Sequence, residues 1–280
     1  MTPRKLLLCT DMDRTVIPNG KQAEQPDARQ HFHDFCQYPE VKLVYVTGRH
    51  QALVQQAIAD YQLPEPDYLI TDVGTRIYQA NGEQWQPFAS WEKEIDTDWH
   101  GKSHADIKAM LSSFTELHLQ EASKQNTHKL SYYLPLDIDI ETLLANIQSR
   151  LDQHNVNTSL VWSIDELNQV GLLDVLPRNA TKLHAIEFLQ QQLGYHRDQV
   201  IFAGDSGNDL PVLCSAIRSV LVANASDEVK LLAQQLAEQN GHSDALYLAQ
   251  AGTSGLDGNY SAGVLQGVRH FAPDFHDILR

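Results

Sequence analysis

The stretch that decides the fold reads Leu6-Leu7-Leu8-Cys9-Thr10-Asp11-Met12-Asp13-Arg14-Thr15. It is an apolar run that ends in two aspartates separated by one residue. Such a run predicts a buried strand, and open α/β sheets bind their ligands at the carboxyl ends of strands. An ordinary strand that enters an acidic turn has the same pattern, because aspartate is common in turns. The stretch alone leaves both interpretations open.

Composition limits the classes of protein that fit. The 280 residues suffice for one large domain or for a core with an insert, and a hydrophobic fraction of 42% excludes disorder. The net charge of -15 argues against a nucleic-acid partner. It allows an anionic small substrate, because a bound divalent cation can reverse the field in one cleft. No apolar run reaches the ~18–20 residues that span a bilayer, and the N-terminus does not resemble a signal peptide. We expect a cytoplasmic protein with no membrane partner.

Strand-like and helix-like segments alternate in the first and last parts of the chain, a pattern typical of a parallel sheet. The middle part predicts a charged helix from about His104 to Leu117, a strand, a second helix and two further strands. We therefore predict an α/β fold with a Rossmann-like parallel-sheet core, helices on both of its faces, and an inserted α+β cap domain. The predicted boundaries are 1–79 and 178–280 for the core and 80–177 for the cap.

A second apolar run, Val44-Tyr45-Val46-Thr47-Gly48-Arg49, ends in a hydroxyl residue and a glycine. A strand end of this kind, followed by a helix, offers a hydroxyl and free N–H groups to a phosphate oxygen. Strand-Thr-Gly turns are also common as purely structural features. Lys182 stands near the start of a predicted helix, where the helix dipole disfavours a cation. A solvated lysine explains Lys182 equally well when it is taken alone.

A later apolar run reads Val200-Ile201-Phe202-Ala203-Gly204-Asp205-Ser206-Gly207-Asn208-Asp209. It ends in Gly-Asp and continues into a small polar loop with a second aspartate four residues on. Two carboxylates on such a loop suit Mg²⁺, which prefers oxygen ligands. An acidic helix cap is the structural alternative.

Together and in this order, these segments resemble the haloacid-dehalogenase-like (HAD-like) phosphatase superfamily with a C2-type cap. The closer resemblance is to sucrose-phosphate phosphatases and related bacterial sugar-phosphate phosphatases. It also covers the stretches Val73–Tyr78, His128–Tyr132, Asp174–Pro177 and Tyr260–Leu265. One position departs from the pattern: Arg14 stands where relatives more often have Gly or Asn.

The resemblance implies a role for each motif. Asp11 is the nucleophile that forms an aspartyl-phosphate, and Asp13 is the general acid and base. Mg²⁺ is the implied cofactor, held by Asp11, Asp205 and the backbone carbonyl of Asp13. The residues that order this metal shell are Asp209, Ser206 and Asn208. The residues implied to bind phosphate are Thr47, Gly48 and Lys182.

Sugar recognition is assigned to the cap, because the core motifs contact only phosphate. The polar candidates are Asn126, Lys129, Ser131 and Tyr132 in the cap, with Thr75 and Asp174 at its rim. Each of these side chains could instead serve only the structure of its own strand.

The expected function is Mg²⁺-dependent hydrolysis of a sugar phosphate monoester, with sucrose 6-phosphate as the first candidate. The alternatives are phosphatases for mannosylfructose, glucosylglycerol or trehalose phosphate, and a phosphomannomutase. From a different class, the chain could be a non-catalytic sugar-phosphate-binding partner of a synthase. The complete set of Asp11, Asp13, Lys182 and Asp205 argues against that class. The expected partner is a small-molecule sugar phosphate, and the sequence leaves open whether a sugar-phosphate synthase also binds.

Overall fold

The computed structural model describes residues 4–82, 84–165, 168–252 and 257–279. The chain divides into two compact units. The larger unit combines Met1–Pro87 with Ala185–Arg280, and the smaller unit is Phe88–His184. The smaller unit is thus an insert in the sequence of the larger one. The described part of the chain has no helix that is both long and apolar enough to cross a membrane.

The larger unit begins with an alternation of strands and helices. Its first elements are β1 (Leu6–Thr10), α1 (Ala28–Cys36), β2 (Val41–Val46), α2 (Gln51–Tyr61), β3 (Tyr68–Thr71), β4 (Arg76–Asn81) and β5 (Gln84–Pro87). Strands β1, β2 and β3 are parallel, whereas β4 and β5 add an antiparallel hairpin to the same sheet. Gly82, with a φ of +61°, directly follows β4 in the turn of this hairpin.

The smaller unit is an α+β arrangement around a four-stranded antiparallel sheet. Its elements are α3 (Ala89–Asp96), α4 (His104–Met110), β6 (His118–Leu119), β7 (Leu130–Leu134), α5 (Ile140–Gln153), β8 (Thr158–Asp165) and β9 (Val170–Pro177). The strand order is β6-β7-β9-β8. The carboxylate of Asp139 caps α5 by accepting a hydrogen bond from the N–H of Thr142 at 3.1 Å.

The remaining elements return the chain to the larger sheet. They are α6 (Lys182–Gln192), β10 (Val200–Gly204), α7 (Leu210–Leu213), β11 (Arg218–Leu221), α8 (Asp227–Gln239), β12 (Leu246–Leu248) and α9 (Tyr260–Phe271). Within the described residues the larger sheet has the order β12-β11-β10-β1-β2-β3-β4-β5, and the strands from β12 to β3 are parallel. The predicted fold class, an α/β parallel-sheet core with an inserted α+β unit, is confirmed.

The edges of the smaller unit differ from the predicted cap boundaries of 80 and 177. The hairpin of β4 and β5 pairs with β3, so the end of β4 and the whole of β5 belong to the larger sheet. At the other end, the smaller unit continues to His184, within α6. The sequence also indicates a glycine-rich loop at 252–258, which lies partly outside the described residues, since 253–256 are not described.

Strand β1 is central in the larger sheet and all five of its residues are buried. Parallel sheets are covered on both faces, which explains why the run is apolar throughout instead of alternating. On one face, Leu6 and Leu8 pack in a core cluster with Phe32 of α1 and Val264 of α9. This packing fixes the carboxyl end of β1, where Asp11 follows.

Helix α9 packs closely on β11 because glycine faces the strand. A Cβ on Gly267 would lie 1.9 Å from Cγ2 of Val220, and a Cβ on Gly263 would lie 2.1 Å from the backbone oxygen of Gly258. Neither position can hold a larger residue without displacement of the helix. The close approach fixes the start of α9 next to the loops that follow β11.

Candidate active site

Side chains of the candidate site follow four neighbouring strands of the larger sheet, in the order β10-β1-β2-β3. These strands are parallel, so their carboxyl ends lie at one edge of the sheet. Asp205 follows β10, Asp11 follows β1, Thr47 follows β2 and Asp72 follows β3. The sheet therefore brings residues that are far apart in the sequence to one edge.

Three buried carboxylates form the centre of this edge. Asp11, Asp205 and Asp209 each place one carboxylate oxygen within 4.8 Å of the others, and their exposed fractions are 5%, 3% and 0%. The backbone N–H of Asp11 donates to the carbonyl of Ala203 at 2.8 Å, which ties β1 to β10 at this point. Close, buried like charges repel unless a cation lies among them. The set of hard oxygen ligands fits a divalent metal ion, and these three residues could hold one.

The position of Asp209 depends on the loop between Gly204 and Asp209. Its Oδ2 accepts hydrogen bonds from the N–H groups of Asp205 and Ser206 at 3.1 and 3.2 Å. The hydroxyl of Ser206 also donates to Oδ1 of Asn208 at 3.1 Å. A Cβ on Gly204 would lie 2.6 Å from both Cγ and Oδ2 of Asp209. Glycine at position 204 thus leaves the space that the Asp209 carboxylate fills.

We expect Gly204→Ala to disturb this centre. The new methyl group must displace the Asp209 carboxylate, whose Oδ2 accepts hydrogen bonds from the N–H groups of Asp205 and Ser206. The expected loss of unfolding free energy is about 1–3 kcal/mol, typical of overpacking, and metal affinity should fall as well. Thermal unfolding and a titration with Mn²⁺ measure the two effects. Gly207→Ala is the matched control, because its Cβ would meet no heavy atom within 4 Å. Equal behaviour of the two variants would contradict the steric argument.

Asp13 lies in different surroundings from Asp11. Its side chain is 40% exposed and accepts two hydrogen bonds from Arg49, from Nε at 2.7 Å and from Nη2 at 2.6 Å. Asn19 donates a third through Nδ2 at 2.8 Å. The hydrogen bonds to Asp13 raise the pKa of Arg49 above its ordinary value. We call this bidentate pair the Asp13–Arg49 fork. It orients the Asp13 carboxylate, and Arg49 was not among the predicted site residues.

A strained turn after β3 is hydrogen-bonded to the loop that contains Thr47. Asp72, Val73 and Gly74 have φ values of +51°, +62° and +104° in succession. A β-branched residue in this region is unusual and indicates a constraint from the surrounding structure. The N–H of Asp72 donates to the carbonyl of Arg49 at 3.1 Å, and the N–H of Val73 donates to that of Thr47 at 3.2 Å. The turn therefore fixes the backbone on both sides of Gly48.

The predicted phosphate and substrate residues around this turn differ in accessibility. Thr47 is buried, and its Oγ1 accepts from the N–H of Arg49 at 3.2 Å, while Gly48 is exposed. The structure places Thr75 in the turn itself, fully buried, with its hydroxyl donating to the carbonyl of Asp72 at 3.1 Å. The phosphate roles of Thr47 and Gly48 and the substrate role of Thr75 remain predictions.

Two asparagines, also not predicted, fix the segment after Asp13. Asn19 accepts from the N–H of Arg14 at 2.9 Å, and Asn224 donates to the carbonyl of Arg14 at 2.6 Å. The buried Asn224 also accepts from the N–H of Tyr260 at 2.8 Å, at the start of α9. Asn224 follows the parallel strand β11, and residues after parallel strands lie at the same edge of the sheet. This position was the sequence signal that could have identified Asn224 as a site residue.

Among the candidates in the smaller unit, the structure brings together Lys129, Ser131 and Asp174. Ser131 and Asp174 are paired across β7 and β9, and the Ser131 hydroxyl donates to Oδ1 of Asp174 at 2.5 Å. Nζ of Lys129 lies 3.5 Å from the other oxygen of Asp174. Asn126 accepts from the N–H of His128 at 2.9 Å and forms a backbone bridge with Lys129. The Ser131–Asp174–Lys129 cluster has the hydrogen-bonding groups that bind sugar hydroxyls.

Tyr132 does not join this cluster. Adjacent residues of a strand point to opposite faces, and Tyr132 packs in the apolar core of the smaller unit with Leu173 and Ile147. Burial raises its pKa to about 12. Lys182 is the first residue of α6 and is buried, and it belongs to the smaller unit. Its predicted phosphate contact remains a prediction.

A parallel α/β sheet with buried aspartates at adjacent strand ends and an inserted α+β unit defines the class of HAD-like hydrolases. A model of the sucrose-6F-phosphate phosphohydrolase family matches residues 4–272. The chain belongs to this family, which confirms the resemblance found in its motifs.

Three proteins that are similar to this chain in sequence carry different functional names. A Nitrosococcus oceani protein named only as a HAD-like hydrolase is 49% identical over 97% of this chain and 73% of the relative. Sucrose-phosphatase 1 of Nicotiana tabacum is 26% identical over 95% of this chain, which spans only 59% of that protein. Mannosylfructose-phosphate phosphatase of Agrobacterium fabrum is 29% identical over 95% of this chain and 96% of the relative.

A solved structure agrees with the sequence comparisons. The sucrose-phosphatase of Synechocystis, crystallised with sucrose and phosphate, superposes with a TM-score of 0.71 at 25% identity. The similarity covers 96% of this chain and 98% of that one.

Proposed function

We propose that this protein is a Mg²⁺-dependent phosphatase that hydrolyses a sugar phosphate monoester, with sucrose 6-phosphate as the preferred substrate. The observation that carries the proposal is the buried cluster of Asp11, Asp205 and Asp209 next to the Asp13–Arg49 fork. Membership of the sucrose-6F-phosphate phosphohydrolase family supports the reaction type. The crystallised sucrose-phosphatase supports sucrose phosphate as the first substrate to test.

In the proposed mechanism, a carboxylate oxygen of Asp11 attacks phosphorus and the bond from phosphorus to the sugar oxygen breaks. Asp13 gives a proton to the departing oxygen, which leaves as a hydroxyl of the free sugar. Asp13 then takes a proton from water as that water attacks the aspartyl-phosphate. The second attack releases inorganic phosphate and restores Asp11.

The remaining residues bind and orient in this proposal. Asp11, Asp205 and the backbone carbonyl of Asp13 would hold Mg²⁺, and Asp209, Ser206 and Asn208 would order those ligands. When bound, Mg²⁺ offsets the repulsion between the carboxylates and the phosphate dianion. Thr47, Gly48 and Lys182 contact the phosphoryl oxygens. The Ser131–Asp174–Lys129 cluster selects the sugar by forming hydrogen bonds with the hydroxyl groups of the sugar.

Mannosylfructose phosphate is the second candidate substrate. The relative named for it matches this chain along nearly the full length of both proteins, at a higher identity than the tobacco sucrose-phosphatase. Both substrates are phosphorylated disaccharides, so the core chemistry is unchanged and only sugar recognition differs.

A panel of sugar phosphates tests the proposal through the release of inorganic phosphate. The panel contains sucrose 6-phosphate, mannosylfructose phosphate, trehalose phosphate, glucosylglycerol phosphate and mannose 1-phosphate, each assayed with Mg²⁺ and with excess EDTA. We expect the highest kcat/KM for sucrose 6-phosphate, and loss of activity in EDTA that added Mg²⁺ restores. Preference for mannosylfructose phosphate would replace the substrate assignment. Isomerisation of mannose 1-phosphate without phosphate release would show a mutase instead of a phosphatase. If the protein hydrolyses none of these compounds, the proposal is wrong.

A further inference from the structure

Arg14, which directly follows Asp13, has an unusual backbone conformation. Its φ of +58° lies in the left-handed region, which favours Gly and Asn. The conformation is imposed from both sides, because Asn19 binds the N–H of Arg14 and Asn224 binds its carbonyl. A long cationic side chain thus occupies a backbone site that suits a small residue.

The guanidinium of Arg14 reaches the carboxylate cluster. Its Nε lies 3.3 Å from Oδ2 of Asp205, and its Nη2 donates to the carbonyl of Asn224 at 3.5 Å. The Arg14 side chain is 45% exposed, whereas that of Asp205 is 3% exposed. The arginine can therefore leave towards solvent, while the carboxylate cannot follow it.

The Asp205 carboxylate can therefore interact with two cations, a metal ion and the Arg14 guanidinium. It is one of the three residues that could hold a metal ion, and it already forms an ion pair with Arg14. Two cations next to one carboxylate repel each other, so each weakens the binding of the other. We propose that the Arg14 guanidinium competes with the divalent cation for Asp205 and lowers the cation affinity of the site. This inference rests on the proposed metal centre. It goes further because it names a residue of this chain, Arg14, that controls how tightly the centre binds its cation.

Direct titration of metal binding tests the competition without any need for turnover. The wild-type protein, Arg14→Gln, Arg14→Gly and Arg14→Lys are titrated with Mn²⁺, whose free form is measured by electron paramagnetic resonance, and with Mg²⁺ by calorimetry. Because one partner of the ion pair is half-exposed, we expect a moderate effect: the dissociation constant falls about threefold to tenfold in Arg14→Gln. Arg14→Gly should show the same fall and also suits the positive φ. Arg14→Lys keeps the charge and should remain close to wild type.

Arg29→Gln is the matched control, because the Arg29 guanidinium forms its ion pair with Glu24 instead of the cluster. A similar fall in this control would indicate a general effect of net charge and would overturn the inference. An unchanged or higher dissociation constant in both charge-free Arg14 variants would overturn it as well. Absence of Mn²⁺ and Mg²⁺ binding in the wild type would instead defeat the proposed metal centre. If the wild type binds metal and the charge-free Arg14 variants bind it no more tightly, the competition is overturned and the proposed metal centre is not.

Discussion

Asp11→Asn is expected to lower kcat for sugar phosphate hydrolysis by about 10⁴-fold or more, as removal of a nucleophile does in other enzymes. The amide keeps the shape of the carboxylate but cannot attack phosphorus. The side chain is almost fully buried beside Asp205 and Asp209, so loss of one negative charge should leave the protein folded or slightly more stable in the absence of metal. Phosphate release and thermal unfolding, each with and without Mg²⁺, measure these effects.

Asp60→Asn is the control for Asp11→Asn, since Asp60 is an exposed carboxylate on α2 of the same unit. It should retain wild-type turnover. Brief reaction with ³²P-labelled substrate, followed by acid denaturation, should leave label on the wild-type protein and none on Asp11→Asn. Turnover by Asp11→Asn within tenfold of wild type would exclude Asp11 as the nucleophile.

Arg49→Met is expected to lower kcat by about 10²-fold, at the low end of what a proton-transfer residue contributes, with KM changed only a few-fold. The fork supplies one hydrogen bond to each oxygen of the Asp13 carboxylate, and Asn19 donates to Oδ1. Without the fork, the carboxylate loses a donor at both oxygens and is held less firmly towards the leaving group. Steady-state kinetics with the best substrate of the panel separate kcat from KM.

Rescue experiments distinguish orientation of Asp13 from a general structural role of Arg49. Added guanidinium ion should restore part of the kcat of Arg49→Met, and Arg49→Lys should be intermediate, because an ammonium cannot donate as a planar fork. The exposed half of Asp13 leaves a path for the small cation. If KM rises while kcat is unchanged, Arg49 contributes to substrate binding and the positioning role is wrong.

Much of the core fold could be predicted because its strands are apolar runs with clear ends. Helix α3 was missed, since Phe88 at its N-cap makes no side-chain capping bond and only Trp91 and Ile95 of its residues are buried. Strand β12 is three residues long and gives no usable pattern. The cap boundary at residue 80 was placed inside the hairpin of β4 and β5, because a turn signal does not show which sheet the hairpin joins.

For the candidate site, the sequence indicated which side chains lie together where a motif spans one strand end, while their roles remain predictions. Asp11, Asp205 and Asp209 follow β1 and β10, and adjacent parallel strands place them together. The contact between Arg49 and Asp13 joins two different loops, so no local pattern contains it. The grouping of Tyr132 with Ser131 overlooked strand alternation, which was visible in the apolar residues at 130, 132 and 134.

The central place of β1 also has a consequence for how the protein is made. Its neighbour β10 pairs with it through contacts such as Leu7 with Val200, so β1 leaves the ribosome long before its partner strand β10 does. Until then one edge of this mostly apolar strand is open to other chains, and pairing between strands so far apart in the sequence is slow. The carboxylate centre cannot form before residue 209 has emerged. A nascent chain that stalls earlier is therefore inactive and prone to aggregate, and we expect chaperones to bind it at Leu6–Thr10.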